Sequence, residues 1–208
     1  QMLFGGSGYS GGNGIGHYIH NNTVRTYVSV GGTATEIFQS SALLNINTWT
    51  HIVIQREKGT TWEMWVDGVL EETNTSARLT DDLTSTNSTI AKHYNSGLYN
   101  FDGEISEASI FDYSLSSTQV STLYGSSSLG AGNPMALKPQ PVGYWPLADN
   151  SASNPLTQPN EAVEDASVFD FDSASSQFIN AGSTSYLNNA TQMSCSIWFN
   201  IDVAAQND

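Results

Sequence analysis

With 208 residues the chain has room for one generous β-sandwich domain or two small ones, and only 12% of its residues are charged, so Ser, Thr, Asn and Gly carry most of its solubility. Acidic residues outnumber basic ones 20 to 6, a net charge of -14, which repels phosphate backbones and anionic lipid. The six basic residues, Arg25, Arg56, Lys58, Arg78, Lys92 and Lys138, never form a run, and no apolar stretch reaches membrane-spanning length, so nucleic-acid binding and membrane insertion are excluded as expectations.

In chain order, alternating β-branched and aromatic residues predict strands at Gly16 to Ile19, Val24 to Val30, Glu36 to Phe38, Thr50 to Arg56, Thr61 to Val66, Thr89 to Lys92, Glu104 to Phe111, Gln177 to Ala181 and Met193 to Ile201. Gly, Asn, Asp and Ser clusters separate them. Asp67-Gly68 between WEMWV and VLEET is the strongest hairpin signal, because a type I′ turn needs positive φ at both central residues. Alternation sends Trp62, Met64 and Val66 to a buried face and Trp65 to a more exposed one. Trp49, Trp62, Trp145 and Trp198 fall inside strand patterns and are expected in the core.

One segment departs from this period. Ser114 to Tyr124 places Leu115, Val120, Leu123 and Tyr124 near helical spacing, with Ser116 or Ser117 as N-cap and Gly125 as the stop, so one short helix is predicted near 115–124. From Ser126 to Pro141 the composition turns to Ser, Gly, Ala and Pro without periodicity, the signature of a linker. Many short strands with little helix make the fold class all-β, a two-sheet antiparallel sandwich. The single cysteine, Cys195, sits in the apolar stretch Met193 to Phe199 and reads as a buried, inert thiol. Gln1 followed by Met2, Leu3 and Phe4 reads as a processed product or a piece of something larger.

The string TWTHIVIQ (Trp49, His51, Val53), MWVDGVL (Trp65 to Gly68) and FDGEISEASIFDYSLSSTQVSTLY (Phe101, Gly103, Ile105, Ile110, Leu115, Val120, Leu123, Tyr124) resembles the C-terminal half of the laminin G-like family of the concanavalin A-like superfamily. Residues 143–202 resemble the N-terminal half, with GYWPLAD as its opening strand, VFDFDSASSQFINAGS as its second and MSCSIWFNI as its third. The resemblance implies a jelly-roll sandwich with its halves in reversed order: 1–125 as the C-terminal part, 126–142 as linker and 143–208 as the N-terminal part. Two explanations fit that order. Either the chain is cut across two tandem repeats, or its halves close as a circularly permuted sandwich, within one chain or between neighbours, with Asp208 near Gln1.

Glycosidases of that superfamily carry paired carboxylates in an E-x-D-x-(x)-E strand. The nearest match, Glu104-Ile-Ser-Glu107, lacks the central Asp, and simple alternation puts its glutamates on opposite faces, so no catalytic residues are expected. His17, His20, His51 and His93 lack zinc spacing. Calcium, which the resemblance brings to loops at the sandwich rim, would fall to Asp102 and Asp172, although Asp is also a default turn former. Tyr9, Tyr18, Tyr94 and Tyr99, in or beside Gly/Asn/Ser-rich loops, are candidates for stacking on sugar rings, against ordinary partly buried aromatics. Sequons at Asn21, Asn74, Asn87 and Asn189 match what chance gives in so Asn-, Ser- and Thr-rich a chain.

The expected function is a non-catalytic structural or adhesion module of a larger surface assembly, such as a virion fibre, capsid decoration or secreted adhesin. Its setting is extracellular or on a virion surface, and its partners are neighbouring copies or repeats and cell-surface glycans. A glycan-binding lectin module assisted by calcium is the alternative, and a carbohydrate-active enzyme domain the third reading.

Overall fold

The computed structural model describes residues 1–6, 13–41, 43–84, 88–93, 99–125, 131–147, 169–182 and 188–202. In chain order its strands are β1 (Met2–Gly6), β2 (Gly14–His20), β3 (Thr23–Val30), β4 (Thr33–Gln39), β5 (Thr50–Glu57), β6 (Thr61–Val66), β7 (Val69–Asn74), β8 (Ser88–Ile90) and β9 (Gly103–Phe111). Helix α1 (Ser117–Tyr124) follows, then β10 (Gly143–Trp145), β11 (Phe169–Phe171), β12 (Ile179–Gly182) and β13 (Gln192–Ile201). Two antiparallel sheets face each other. Sheet A runs β12-β8-β1-β2-β3-β4; sheet B runs β10-β9-β13-β5-β6-β7, with β11 also on β9.

The two-residue period of the strands builds the interior. Along β13, Met193, Cys195, Ile197, Phe199 and Ile201 point between the sheets, where they join Leu3, Val24, Val28, Ile52, Ile54, Trp62, Met64, Ile105 and Ile110. Ser194, Ser196 and Trp198 point the other way and are buried as well, so β13 is covered on both faces. It is a central strand: its rungs run from Gln192 opposite Glu57 to Phe199 opposite Thr50 on β5, and from Ser194 opposite Phe111 to Ile201 opposite Gly103 on β9.

The turns follow from the residues that tolerate positive φ. Asp67 (φ 48°) and Gly68 (φ 78°) close the β6–β7 hairpin, and Asn21 (φ 52°) and Asn22 (φ 55°) do the same between β2 and β3. Gly103 has φ 135°, and a Cβ there would lie 2.1 Å from the Asn200 carbonyl oxygen, so only glycine lets β9 start against β13. Arg56 is buried on β5 with its guanidinium 5.0 Å from the Trp62 ring, and its Nη2 donates to the carbonyls of Arg78, Leu79 and Asp81 at 2.6–3.1 Å. This one side chain ties the irregular segment 75–82 to the sandwich. Lys58 bonded to Asp82 holds the same segment from outside, and Arg78 within it pairs with Asp81 and donates through Nε to Thr35 Oγ1 on β4 at 3.0 Å.

Two expectations need correction. The resemblance reads VFDFDSASSQFINAGS as one strand, whereas β11 and β12 are separate: β11 pairs with β9 in sheet B, and β12 pairs with β8 in sheet A, after a turn at 173–176. Asp172 makes that turn, accepting the Ala174 N–H and the Ser175 hydroxyl. Trp65 points away from the core cluster as expected, but that side is not open. A second apolar cluster of Val53, Phe111, Leu115, Val120, Leu123 and Leu137 covers it, with Trp65 and Tyr113 packed against its margin.

The cover over sheet B begins at α1. Ser116 caps it through a capping box with Gln119, and Val120 and Leu123 are its buried positions. Of the span whose composition reads as linker, residues 131–142 are described, and they pack beside this helix. The Gly132 N–H donates to Leu123 O at 2.9 Å, Ala131 and Leu137 are buried, and Pro134–Ala136 form a 3₁₀ turn. The contact called between Asp208 and Gln1 lies outside the described residues. Nearby, Asp202 N donates to Asp102 O and Met2 N to Tyr99 O, so the short segment 99–102 touches both β1 and the end of β13.

Candidate functional site

The family-like motif pieces converge on the outer face of sheet B. His51 N donates to Asp67 Oδ1 and Asp67 N to His51 O, both at 2.8 Å, which locks the start of β5 to the β6–β7 hairpin. The Tyr124 ring lies on Gly68, where a Cβ would meet ring atoms at 3.0–3.2 Å. His51, Tyr124 and Trp198 then stack, with centroids 5.0 Å apart for His51–Trp198, 5.5 Å for Tyr124–Trp198 and 6.1 Å for His51–Tyr124. His51 Nε2 shares a 2.9 Å hydrogen bond with Ser196 Oγ, and burial pushes its pKa down to about 3, so the ring is neutral. His51, Ser196 and Trp198 are each about 1% exposed, so no substrate reaches this Ser–His contact. The motif fastens α1 to the sheet.

On the same outer side, β9 carries a bulge. Ser106 pairs with Trp198 and Ser109 with Ser196, which leaves Glu107 and Ala108 opposite Ile197, and Glu107 takes φ 51°. Alternation is therefore reset, and the expectation that Glu104 and Glu107 lie on opposite faces fails. Glu104 sits opposite Asn200 and accepts from its Nδ2 at 2.9 Å; Glu107 accepts from the Tyr144 hydroxyl at 2.6 Å, and Tyr144 pairs with outward-facing Ser109. Burial drives the Glu107 carboxyl up to about 7, with the Tyr144 bond working against the rise.

The outer face of sheet A is different in kind. Alternation along β2 and β3 puts Tyr18, Arg25 and Tyr27 outward while Ile19, Val24, Thr26 and Val28 point inward. Tyr18 packs its ring over Gly16, where a Cβ would meet the ring at 2.7 Å. Tyr27 and Tyr99 both stand edge-on to Tyr18, at 5.9 and 6.2 Å, and His93 lies 6.4 Å from Tyr18 and 6.0 Å from Tyr99. Tyr99 is 47% exposed and Tyr18 only 8%, so Tyr18 is the floor and Tyr99 the open ring. At the margin, Arg25 Nη1 donates to Glu36 Oε2 at 3.0 Å and Tyr27 donates its hydroxyl to the same oxygen. The hydrogen bond with Tyr27, then the Glu36 charge, raises the Arg25 pKa; burial, then Glu36, raises that of Tyr27, so the edge presents a neutral phenol beside a closed ion pair.

Of the four tyrosines singled out from the sequence, Tyr18 and Tyr99 come together here, and Tyr9 and Tyr94 lie outside the described residues. Tyr27, Arg25, Glu36 and His93 join them; the alternation in TVRTYVSV could have placed Arg25 and Tyr27 on this face. Asp102 accepts the Ser173 hydroxyl, whereas the Asp172 carboxylate is turned into its own loop, its pKa lowered first by the Ser175 hydroxyl. Asp102, Glu104 and Asp170 raise the pKa of Asp202, after burial, yet among the described residues no group of three or more His, Cys, Asp or Glu side chains is arranged to hold a metal ion. Cys195 is buried, and its thiol is pushed up to about 12, as a core cysteine should be. Asn74 spends its amide within the fold, donating to Ile37 O and accepting from Ser76 and Ala77.

A family model described as the concanavalin A-like lectin/glucanases superfamily, laminin G-like in name, matches residues 1–121. The chain belongs to this family. No curated protein and no solved structure matches it. Laminin G-like domains are typically extracellular and non-catalytic, and membership makes this chain a carbohydrate-binding or adhesion-type module. Among the described residues no helix is long and apolar enough to cross a membrane. The laminin G-like match spans β1 to β9 and the first part of α1, and ends before β10 to β13.

Proposed function

We propose that this laminin G-like chain is a non-catalytic adhesion module of a larger surface assembly, such as a virion fibre, a capsid decoration or a secreted adhesin, and that it contacts neutral saccharides through Tyr99, Tyr27 and Tyr18. The observation that carries this reading is the open Tyr99 ring buttressed by Tyr18 and His93 and flanked by the Arg25–Glu36 pair. An exposed ring offers an apolar face to sugar C–H groups, and a neighbouring carboxylate and guanidinium can exchange hydrogen bonds with sugar hydroxyls. The net charge of -14 disfavours sulfated or otherwise anionic glycans.

A glycan array with the native chain and Tyr99→Ala tests it. Binding to neutral saccharides that falls about 3- to 10-fold in the variant, the worth of one aromatic contact, supports the proposal; absence of binding on every glycan, or equal binding by the variant, overturns it. The array is run with calcium and with chelator, because the family resemblance brings calcium to loops at the sandwich rim, with Asp102 and Asp172 as the expected ligands. Binding lost in chelator adds calcium to the site.

A further inference from the structure

We infer that residues 169–202 are an exchangeable cassette, and that β13 of one copy fits the cleft between β5 and β9 of a second copy of this chain to give a strand-exchanged pair. Strands β5 and β9 both belong to the family-matched part, yet they do not pair with each other. Without β13 each presents an unpaired ladder edge in the middle of sheet B, and the interior loses Met193, Cys195, Ile197, Phe199 and Ile201. Bare edges of that kind are templates for pairing. The cleft therefore demands a strand, but nothing in its hydrogen bonds or packing specifies which copy supplies it.

The cassette is held by the matched part and not by itself. Strand β11 pairs with β9, β12 with β8, and β13 with β5 and β9, while none of β10 to β13 pairs with another of the four. The ends of β13 are fixed the same way, by Asn47 N donating to Ile201 O and Lys58 N to Thr191 O. Chain length leaves the choice open too. Trp145 and Phe169 sit opposite Ala108 and Ile105, three positions apart on β9, yet residues 146–168 join them, a stretch whose contour reaches roughly 75 Å. Closure within one chain then competes with exchange through the effective concentration that the length of the connection sets, on the order of millimolar. Copies crowded in an assembly reach that range. The inference stands apart from the saccharide patch, which lies on the other sheet, so either can fail alone.

The test uses the full chain with Ile54→Cys, which places a thiol directly opposite Cys195, the sole natural cysteine, at a spacing a disulfide can bridge. Copies of two masses are unfolded together, refolded from micromolar to millimolar concentration, and oxidised after folding. Exchange predicts disulfide-linked dimers that rise with concentration to about half of the protein near 1 mM, about half of them of mixed mass. A bond that stays within one chain at every concentration overturns the proposal. Should Ile54→Cys not fold, Glu57→Cys with Gln192→Cys in a Cys195→Ala chain gives the same readout at the half-buried end of the same ladder.

Discussion

The two outer faces of the sandwich are built from the same alternation and end in opposite states. On sheet B the outward residues His51, Ser194, Ser196 and Trp198 are roofed by α1 and residues 131–137, and the side chains most readily mistaken for chemistry, a Ser–His contact and two glutamates, lie there. On sheet A the outward residues Tyr18, Arg25 and Tyr27 have no helix above them among the described residues, and Tyr99 stays half open. The difference teaches that a matched motif and an accessible surface are separate properties. Here the motif residues hold the fold, and the open aromatic surface lies where the motif is silent.

Trp198→Ala should test the closed face most severely. It removes a buried ring stacked on His51 and Tyr124, and the expected loss is about 3–5 kcal/mol of unfolding free energy in a denaturant titration. A loss below about 1 kcal/mol would mean that the roof is not a packed element.

Glu107→Gln should act next, and only on pH dependence. The Glu107 carboxyl titrates at about 7 in the folded state against 4.5 as its ordinary value, so the native chain holds the proton more tightly than the unfolded one. Its contribution is full below about pH 4.5 and is lost as pH rises through 7. His17 and His51, lowered to about 3, act in the opposite sense between pH 6.5 and 3 and are common to both proteins. The native-minus-variant stability should therefore fall by about 3 kcal/mol between pH 4.5 and 7.5, measured by chemical denaturation; a flat difference would show Glu107 to be solvated.

The smallest effect belongs to the open face. Glu36→Gln loosens an exposed ion pair and should change stability by less than about 1 kcal/mol, while weakening saccharide binding two- to threefold if the pair touches the ligand. Unchanged binding would confine the contact to the tyrosines.

Local chemistry made much of this legible in the sequence. Asp67-Gly68 announces its hairpin because both residues tolerate positive φ, and SLSSTQVSTLY shows its helix through a cap and a 3.6-residue spacing. Tyr18 and Tyr99 were within reach as loop-adjacent aromatics, and the alternation in TVRTYVSV puts Tyr27 on the same face as Arg25. What stayed hidden depends on distant pairing. That β13 runs between β5 and β9, some 140 residues earlier in one case, is set by a cleft that no local pattern describes. The bulge at Glu107 is equally silent, since one extra residue arises only when β9 must match β13 on one side and accept Pro146 on the other.

The anchoring of segment 75–82 reaches beyond that segment. Arg56, Lys58 and Arg78 are all spent on it, Arg25 is closed onto Glu36, and Lys92 lies over the Phe178 ring, 4.7 Å from its centroid. Five of the six cations thus serve the molecule's own architecture, against 20 carboxylates. Copies of this chain meet as like-charged bodies, and dissolved counter-ions, not protein side chains, do most of the neutralising. Ionic strength thereby becomes an external dial on how closely they crowd.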